Sequence, residues 1–220
     1  MERRKPTVTI IDYGMGNILS VTRAFEHCGA TVYLARTARE VAEAHHLVIP
    51  GVGAFGDGMA ALGQLGLVPS IVSHHKKQLP LLGICLGMQM MLESSDEFGV
   101  HQGLGLIAGT VNAIPKVSPQ TGPHKVPHLG WVPLKQNGRG WSGTALENTN
   151  PGESVYFMHS FMATPESTGT SCLALADYNG IAIGAAVQAG ETIGCQFHPE
   201  KSGPVGLAIL SMFLKRGQAA

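Results

Sequence analysis

Along the first 90 residues, short apolar runs alternate with segments whose apolar positions recur every three or four residues. VTIID (8–12), TVYLA (31–35), HLVIP (46–50) and LPLLGI (79–84) have the length and apolar character of buried strands. Between them, NILSVTRAFEHCG (17–29) follows a helical period and closes on Gly29. Thr37 and Glu40 form a T-x-x-E capping box ahead of a short helix, each side chain taking a backbone N–H that the first turn leaves unpaired. DGMAALGQL (57–65) and VPSIVSHHKK (68–77) supply two more helices. This strand–helix alternation predicts a parallel sheet with helices on both faces.

The second half is richer in strands. LGLIAGTVNAI (104–114), HLGWVPL (128–134), SVYFMHSF (154–161), SCLALAD (171–177), IAIGAAVQ (181–188) and TIGCQF (192–197) read as strands, with hairpin turns at Tyr178-Asn179-Gly180 and Ala189-Gly190. A helix follows near 204–215, and residues 115–133 form a proline-rich segment with little periodicity. The expected architecture is a single α/β domain over 1–220, with its core at about 8–214. It would have three layers, a mostly parallel central sheet flanked by helices on both faces, plus an antiparallel, strand-rich second half.

Composition narrows the function. A chain of 220 residues, 44% hydrophobic and 14% charged, can build one sizeable core. Fifteen basic and fifteen acidic residues leave no net charge, which argues against a nucleic-acid footprint. The apolar stretch behind the basic start is too short for a signal peptide, and no run approaches the ~18 residues of a membrane span. Cys28, Cys85, Cys172 and Cys195 are scattered, with no C-x-x-C pair, so a cytoplasmic protein with free thiols is expected. No motif demands a metal, nucleotide or flavin; GMGN is a lone glycine pair rather than a dinucleotide fingerprint.

The chemistry concentrates in LLGICLGMQMM (81–91). Gly83 and Gly87 bracket Cys85 as in G-x-S-x-G, a sharp strand-to-helix turn that lifts a nucleophile out of a sheet. A thiol is mostly protonated at neutral pH, so Cys85 needs help, from a helix N-terminus and from an imidazole oriented by a carboxylate. Among ten histidines, His198 stands at the end of an apolar strand, followed by Pro199 and Glu200, whose carboxylate can reach back to the ring. His45-His46 and His74-His75 read as surface or packing residues, and prolines at 123 and 127 deny His124 and His128 the helix that a metal pair would use. Two readings of Cys85 fit the residues: a Cys85–His198–Glu200 triad, or an inert core thiol. Gln89, one helical turn beyond Cys85, either faces the same pocket or is a solvated helix residue; Met88, Met90 and Met91 are core filler.

LLGICLGMQMM and QFHPEKS resemble the motifs of class I glutamine amidotransferases, whose fold is flavodoxin-like and whose triad is Cys-His-Glu. IIDYGMGNILSV (10–21), VIPGVGAFGDGM (48–59), KVPHLGW (125–131) and YFMHSF (156–161) resemble the branch that serves imidazole glycerol phosphate synthase. The resemblance implies that Cys85 attacks glutamine, His198 carries protons and Glu200 orients it. It places the oxyanion hole at the N–H of Leu86 and an N–H of Val52 or Gly53. The glycines of PGVG independently suit a backbone that closely approaches a ligand. The resemblance further implies that Gln89, Ser160 and Phe161 bind glutamine, and that Asn17, Trp131 and Lys201 lie toward a partner, although Lys201 also reads as a plain solvated lysine. That partner is a (βα)8-barrel cyclase, joined in a heterodimer and supplied with ammonia to make imidazole glycerol phosphate and AICAR for histidine biosynthesis. Val132 and Phe161 depart from the family, where Asn and Tyr are usual. Rival expectations are a paralogue serving another acceptor, a non-catalytic regulatory subunit, and a thiol hydrolase acting on peptides or γ-glutamyl conjugates.

Overall fold

The computed structural model describes residues 5–138, 140–165 and 172–217. Ser171, the first residue of the predicted strand 171–177, and the basic start at residues 1–4 lie outside the described residues. The four strands predicted in the first half are present as β1 (Thr7–Ile11), β2 (Thr31–Ala35), β3 (Leu47–Ile49) and β4 (Leu81–Ile84). Among them run α1 (Ile18–His27), α2 (Ala38–Ala42), α3 (Phe55–Gln64) and α4 (Val68–Lys76), and α5 (Leu86–Met90) follows β4.

Local chemistry explains the boundaries. The Asn17 side chain accepts the Ser20 N–H at 3.2 Å to open α1, and Gly29 leaves it with a left-handed φ of 86°. At α2 the capping box is closed on both sides, with Glu40 N–H donating to Thr37 Oγ1 and Thr37 N–H donating to Glu40 Oε2 at 2.9 Å.

The strands after α5 are β5 (Ser94–Ser95), β6 (His101–Gln102), β7 (Gly109–Ala113), β8 (Val117–Ser118) and β9 (Gly122–Pro123). Then come β10 (His128–Gln136), β11 (Ser154–His159), β12 (Phe161–Pro165), β13 (Cys172–Tyr178), β14 (Ile181–Ala189) and β15 (Thr192–Cys195), before α6 (Gly203–Lys215).

β10, β11, β13 and β14 extend the parallel strands into a nine-stranded sheet of order β11-β10-β13-β14-β15-β4-β3-β1-β2, while β12, β7, β5 and β6 form a separate four-stranded sheet. β15 is the seam, antiparallel to β14 and parallel to β4. Alternating side chains feed two cores. Val8, Ile10, Val48, Leu82 and Ile84 meet Phe25 of α1 and Phe213 of α6 on one face. Ile11, Leu47, Ile49 and Leu81 meet Phe55, Leu62 and Ile71 of α3 and α4 on the other. Met88, Met90 and Met91 are fully buried in the second core, as expected of filler. Burying each such side chain contributes roughly 1.5–3 kcal/mol.

Two differences from the sequence pattern shape the site. Residues 104–108 are not strand: the N–H groups of Leu104, Leu106 and Ile107 turn back to the carbonyls of Met90 and Met91 at the end of α5. Their apolar side chains are buried there instead of on a ladder. The run 154–161 is broken at Ser160, because β11 belongs to the large sheet while β12 pairs with β7 in a four-stranded one. The segment 115–133 is also more ordered than its composition implies, since it contains the β8–β9 pair and the start of β10.

Candidate active site

The parallel strands β4 and β15 end side by side, so the residues that follow them leave the sheet into the same crevice. The Cys85 N–H donates to the Cys195 carbonyl at 2.7 Å, tying the two strand ends together. Cys85 itself is strained, with φ 52° and ψ −108°, a backbone state that bulky L-residues avoid and that persists only when its surroundings enforce it. They do: a Cβ at Gly83 would lie 2.7 Å from the Met88 nitrogen, and one at Gly87 would collide with the Ile49 carbonyl oxygen. The glycines therefore let α5 and β3 close on the turn that presents the thiol.

His198 arrives from the end of β15. Its Nδ1 bonds Glu200 Oε1 at 2.8 Å across a single 3₁₀ turn (Pro199–Lys201), and the two side chains are 2% and 1% exposed. Its N–H donates to the Tyr156 carbonyl, and its own carbonyl accepts the Ser202 hydroxyl. With Nδ1 engaged, Nε2 is sealed from solvent and makes no hydrogen bond of good geometry; the group it feels is Cys85. Burial alone would depress this imidazole, but Cys85 and Glu200 outweigh it and raise its pKa to about 9. At neutral pH His198 is thus an imidazolium between the Cys85 sulfur and the Glu200 carboxylate.

A cavity of about 160 Å³ opens beside the sulfur, walled by Val52 and Gly53, by Leu86 and Gln89 of α5, by Glu97, and by residues 158–161. Leu86 is the first residue of α5, so its N–H has no acceptor within the helix. The 51–53 loop is held from beneath: the Tyr13 hydroxyl donates to the Pro50 carbonyl at 2.7 Å, and a Cβ at Gly51 would meet that hydroxyl and the Leu86 Cβ. Gly53 has φ 110°. A thiol, a buried imidazole–carboxylate pair and unpaired backbone N–H groups thus gather around one small cavity.

The class-I glutamine amidotransferase family matches residues 9–216. The chain belongs to the class-I glutamine amidotransferases. It is 50% identical over 211 residues to imidazole glycerol phosphate synthase subunit HisH 1 of Legionella pneumophila (strain Lens), covering 95% of this chain and 99% of the relative. It is 43% identical over 208 residues to subunit HisH of Geobacter metallireducens, covering 94% and 97%. Among solved structures, a glutamine amidotransferase superposes with a TM-score of 0.69 at 14% identity over 93% of this chain and 98% of that one. PurLQS from Thermotoga maritima does so with 0.70 at 19%, over 96% and 98%, a likeness of fold alone.

Several residues at or behind the cavity wall carry no signal in the sequence. Glu97 is one: it sits on the cavity wall, accepts the Phe55 N–H at 2.7 Å, and burial raises its pKa. Nothing in DEFG distinguishes it from a surface acid; the four-stranded sheet carries it inward. Tyr13 is another, its phenol pushed up by burial and by the charge of Cys85. His128 and His159 pair directly, Nδ1 to Nε2, at 3.0 Å across β10 and β11.

Of the residues assigned to a partner face, Trp131 is 56% exposed with its ring edge against Tyr156, and Lys201 is exposed. Asn17 is exposed too, but its side-chain oxygen is engaged in capping α1. Val132 is partly buried against the core, in register with Val155. His46 and His74 are packing residues, bonded to backbone carbonyls: His46 to those of Thr7 and Arg216, His74 to that of Pro80.

These titrations predict the pH profile of stability. His198 has a folded pKa of about 9 against an ordinary 6.5, so its contribution is complete below pH 6.5 and is lost as pH rises through 9. Burial lowers His128 to about 4 and His159 to about 3, so their contribution is present above 6.5 and lost as pH falls toward those values. Urea midpoints should therefore peak near pH 6.5, and His198→Gln should flatten the alkaline limb alone.

Proposed function

We propose that Cys85, His198 and Glu200 are the triad with which this amidotransferase hydrolyses glutamine. The carrying observation is the buried His198–Glu200 pair set against Cys85, which lines the 160 Å³ cavity. The Cys85 thiolate attacks the side-chain amide carbon, and the oxyanion forms beside the N–H groups of Leu86 and of Val52 or Gly53. His198 protonates the departing ammonia, leaving a glutamyl thioester. Now neutral, His198 takes a proton from water, which attacks the thioester and frees glutamate. Glu200 holds the ring in the required tautomer throughout. Losing one oxyanion donor costs about 2.7–4 kcal/mol in such reactions.

Glutamine binds with its α-ammonium against Glu97 and its side chain past Gln89, Ser160 and Phe161. Glu97→Gln should raise KM for glutamine about tenfold or more and change kcat less, read from glutamate release, because a buried carboxylate facing an ammonium contributes mainly binding.

Likeness over nearly the full chain to HisH subunits supports the role of glutaminase subunit of imidazole glycerol phosphate synthase in histidine biosynthesis. In this reading a cytoplasmic heterodimer forms with a barrel-shaped cyclase that receives the ammonia through the interface. Trp131 and Lys201 face it, with Asn17 nearby at the start of α1, and docking re-aims the 51–53 loop to switch hydrolysis on. The test is glutamate release by the chain alone and with a barrel cyclase plus its nucleotide substrate, with Cys85→Ala as control. Strong stimulation supports the assignment. Full activity of the isolated chain removes the switch, and stimulation only by another synthase reassigns the acceptor. Lys201→Ala with unchanged coupling takes that residue out of the interface.

A further inference from the structure

Around the Cys85 sulfur lies a second polar group besides His198. Gln196 is fully buried two residues earlier, and its side-chain Nε2 stands 3.8 Å from Cys85 Sγ. We propose that Gln196 donates a hydrogen bond to the nucleophilic sulfur and stabilises its thiolate, as the last link of a buried chain that starts at His128. The proposal rests on the reading of Cys85 as nucleophile.

The orientation of every link follows from one carbonyl. The Phe161 oxygen can only accept, and it faces His159 Nδ1 and Gln89 Nε2, each at 2.8 Å. His159 therefore carries its proton on Nδ1. Burial keeps both His159 and His128 neutral at pH 7, so His159 Nε2 is bare and must accept from His128 Nδ1. His128 Nε2 is then the bare end, and it is buried without a partner. On the other side, the second amide hydrogen of Gln89 points to Gln196 Oε1 at 3.1 Å. That contact leaves Gln196 only one way round, with its NH₂ toward the sulfur. An amide orientation is normally ambiguous; here the network settles it.

The opposing contact on the sulfur is the Met158 carbonyl, also at 3.8 Å, which can accept from a thiol but repels a thiolate. Gln196 thus supplies what Met158 opposes. The ionisable groups around Cys85 are His198 with Glu200 behind it, Tyr13 from the loop after β1, and Glu97 across the cavity. Gln196 adds a neutral donor that no titration removes, while His159 and His128 are positioning residues acting through Phe161 and Gln89.

Two measurements on the full chain decide this. Long-range ¹⁵N NMR of the unaltered protein should find His128 and His159 both protonated on Nδ1, and alkylation of Cys85 should shift the Gln196 side-chain amide. A proton on His159 Nε2, or an unmoved Gln196 amide, overturns the chain. Gln196→Met keeps the length and removes the donor; iodoacetamide labelling, followed at Cys85 by peptide mass spectrometry across pH, should show its midpoint raised by about one pH unit. An unchanged midpoint in a folded variant refutes the role, and if the variant does not fold, the NMR result decides by itself. Glutamate release that survives full alkylation would remove Cys85 as nucleophile while leaving the Gln196–sulfur contact to be judged by these readouts.

Discussion

Cys85→Ala is expected to lower glutamine hydrolysis by about 10⁵-fold while the protein stays folded and still binds glutamine. In the proposed mechanism the Cys85 thiolate supplies the covalent step, and His198 and Glu200 act through the thioester it forms. Loss of this size is typical of removing a nucleophile whose partners act only as a unit. If a barrel cyclase is the partner, the same variant should leave synthesis driven by added ammonium salts near the parental rate. Residual hydrolysis within tenfold of the parent would instead mean that Cys85 is an inert core thiol.

The largest effect on stability is expected at Gly87. A Cβ there would drive into the Ile49 carbonyl oxygen and lie 2.8 Å from its carbon, and both are backbone atoms of a central strand that cannot swing aside. Gly87→Ala should cost about 3 kcal/mol or more, lowering Tm by roughly 6–12 °C for a chain of this size. Gly63 is the matched control: it is also helical, in α3, but a Cβ there meets nothing within 4 Å. Gly63→Ala should therefore be neutral or stabilising by up to about 1 kcal/mol. Thermal unfolding of the pair separates the two cases. Equal Tm values would mean that α5 can shift away from β3 and that the turn is softer than the packing indicates.

Both predictions start from a motif that was legible in the sequence, and their contrast shows where legibility ends. The G-x-C-x-G spacing announces a strand-to-helix turn, yet the reason Gly87 is indispensable is the Ile49 carbonyl, 38 residues earlier in the sequence. The same holds for His198. H-P-E announces a histidine with its carboxylate, and the 2.8 Å bond is local. That His198 meets Cys85 depends on β15 lying beside β4, a neighbour relation that apolar periodicity does not encode.

Short-range physics accounts for what could be read directly from the residues: the strands and helices of the first half, the Thr37–Glu40 cap, the shape of the turn at Cys85, and the pairing of His198 with Glu200. Other features exist only once the chain has folded: the strand order, the break at Ser160 that separates the two sheets, the inward placement of Glu97, and the chain from His128 to Gln196. The reason is the range of the forces. Backbone sterics and capping bonds act within a few residues and leave a periodic trace, whereas strand neighbours and buried polar partners are chosen by fitting distant segments together. Residues such as Gln196, Glu97 and His128 look like ordinary polar positions until that fit puts them against the sulfur, on the cavity wall, or in a dry hydrogen-bonded pair.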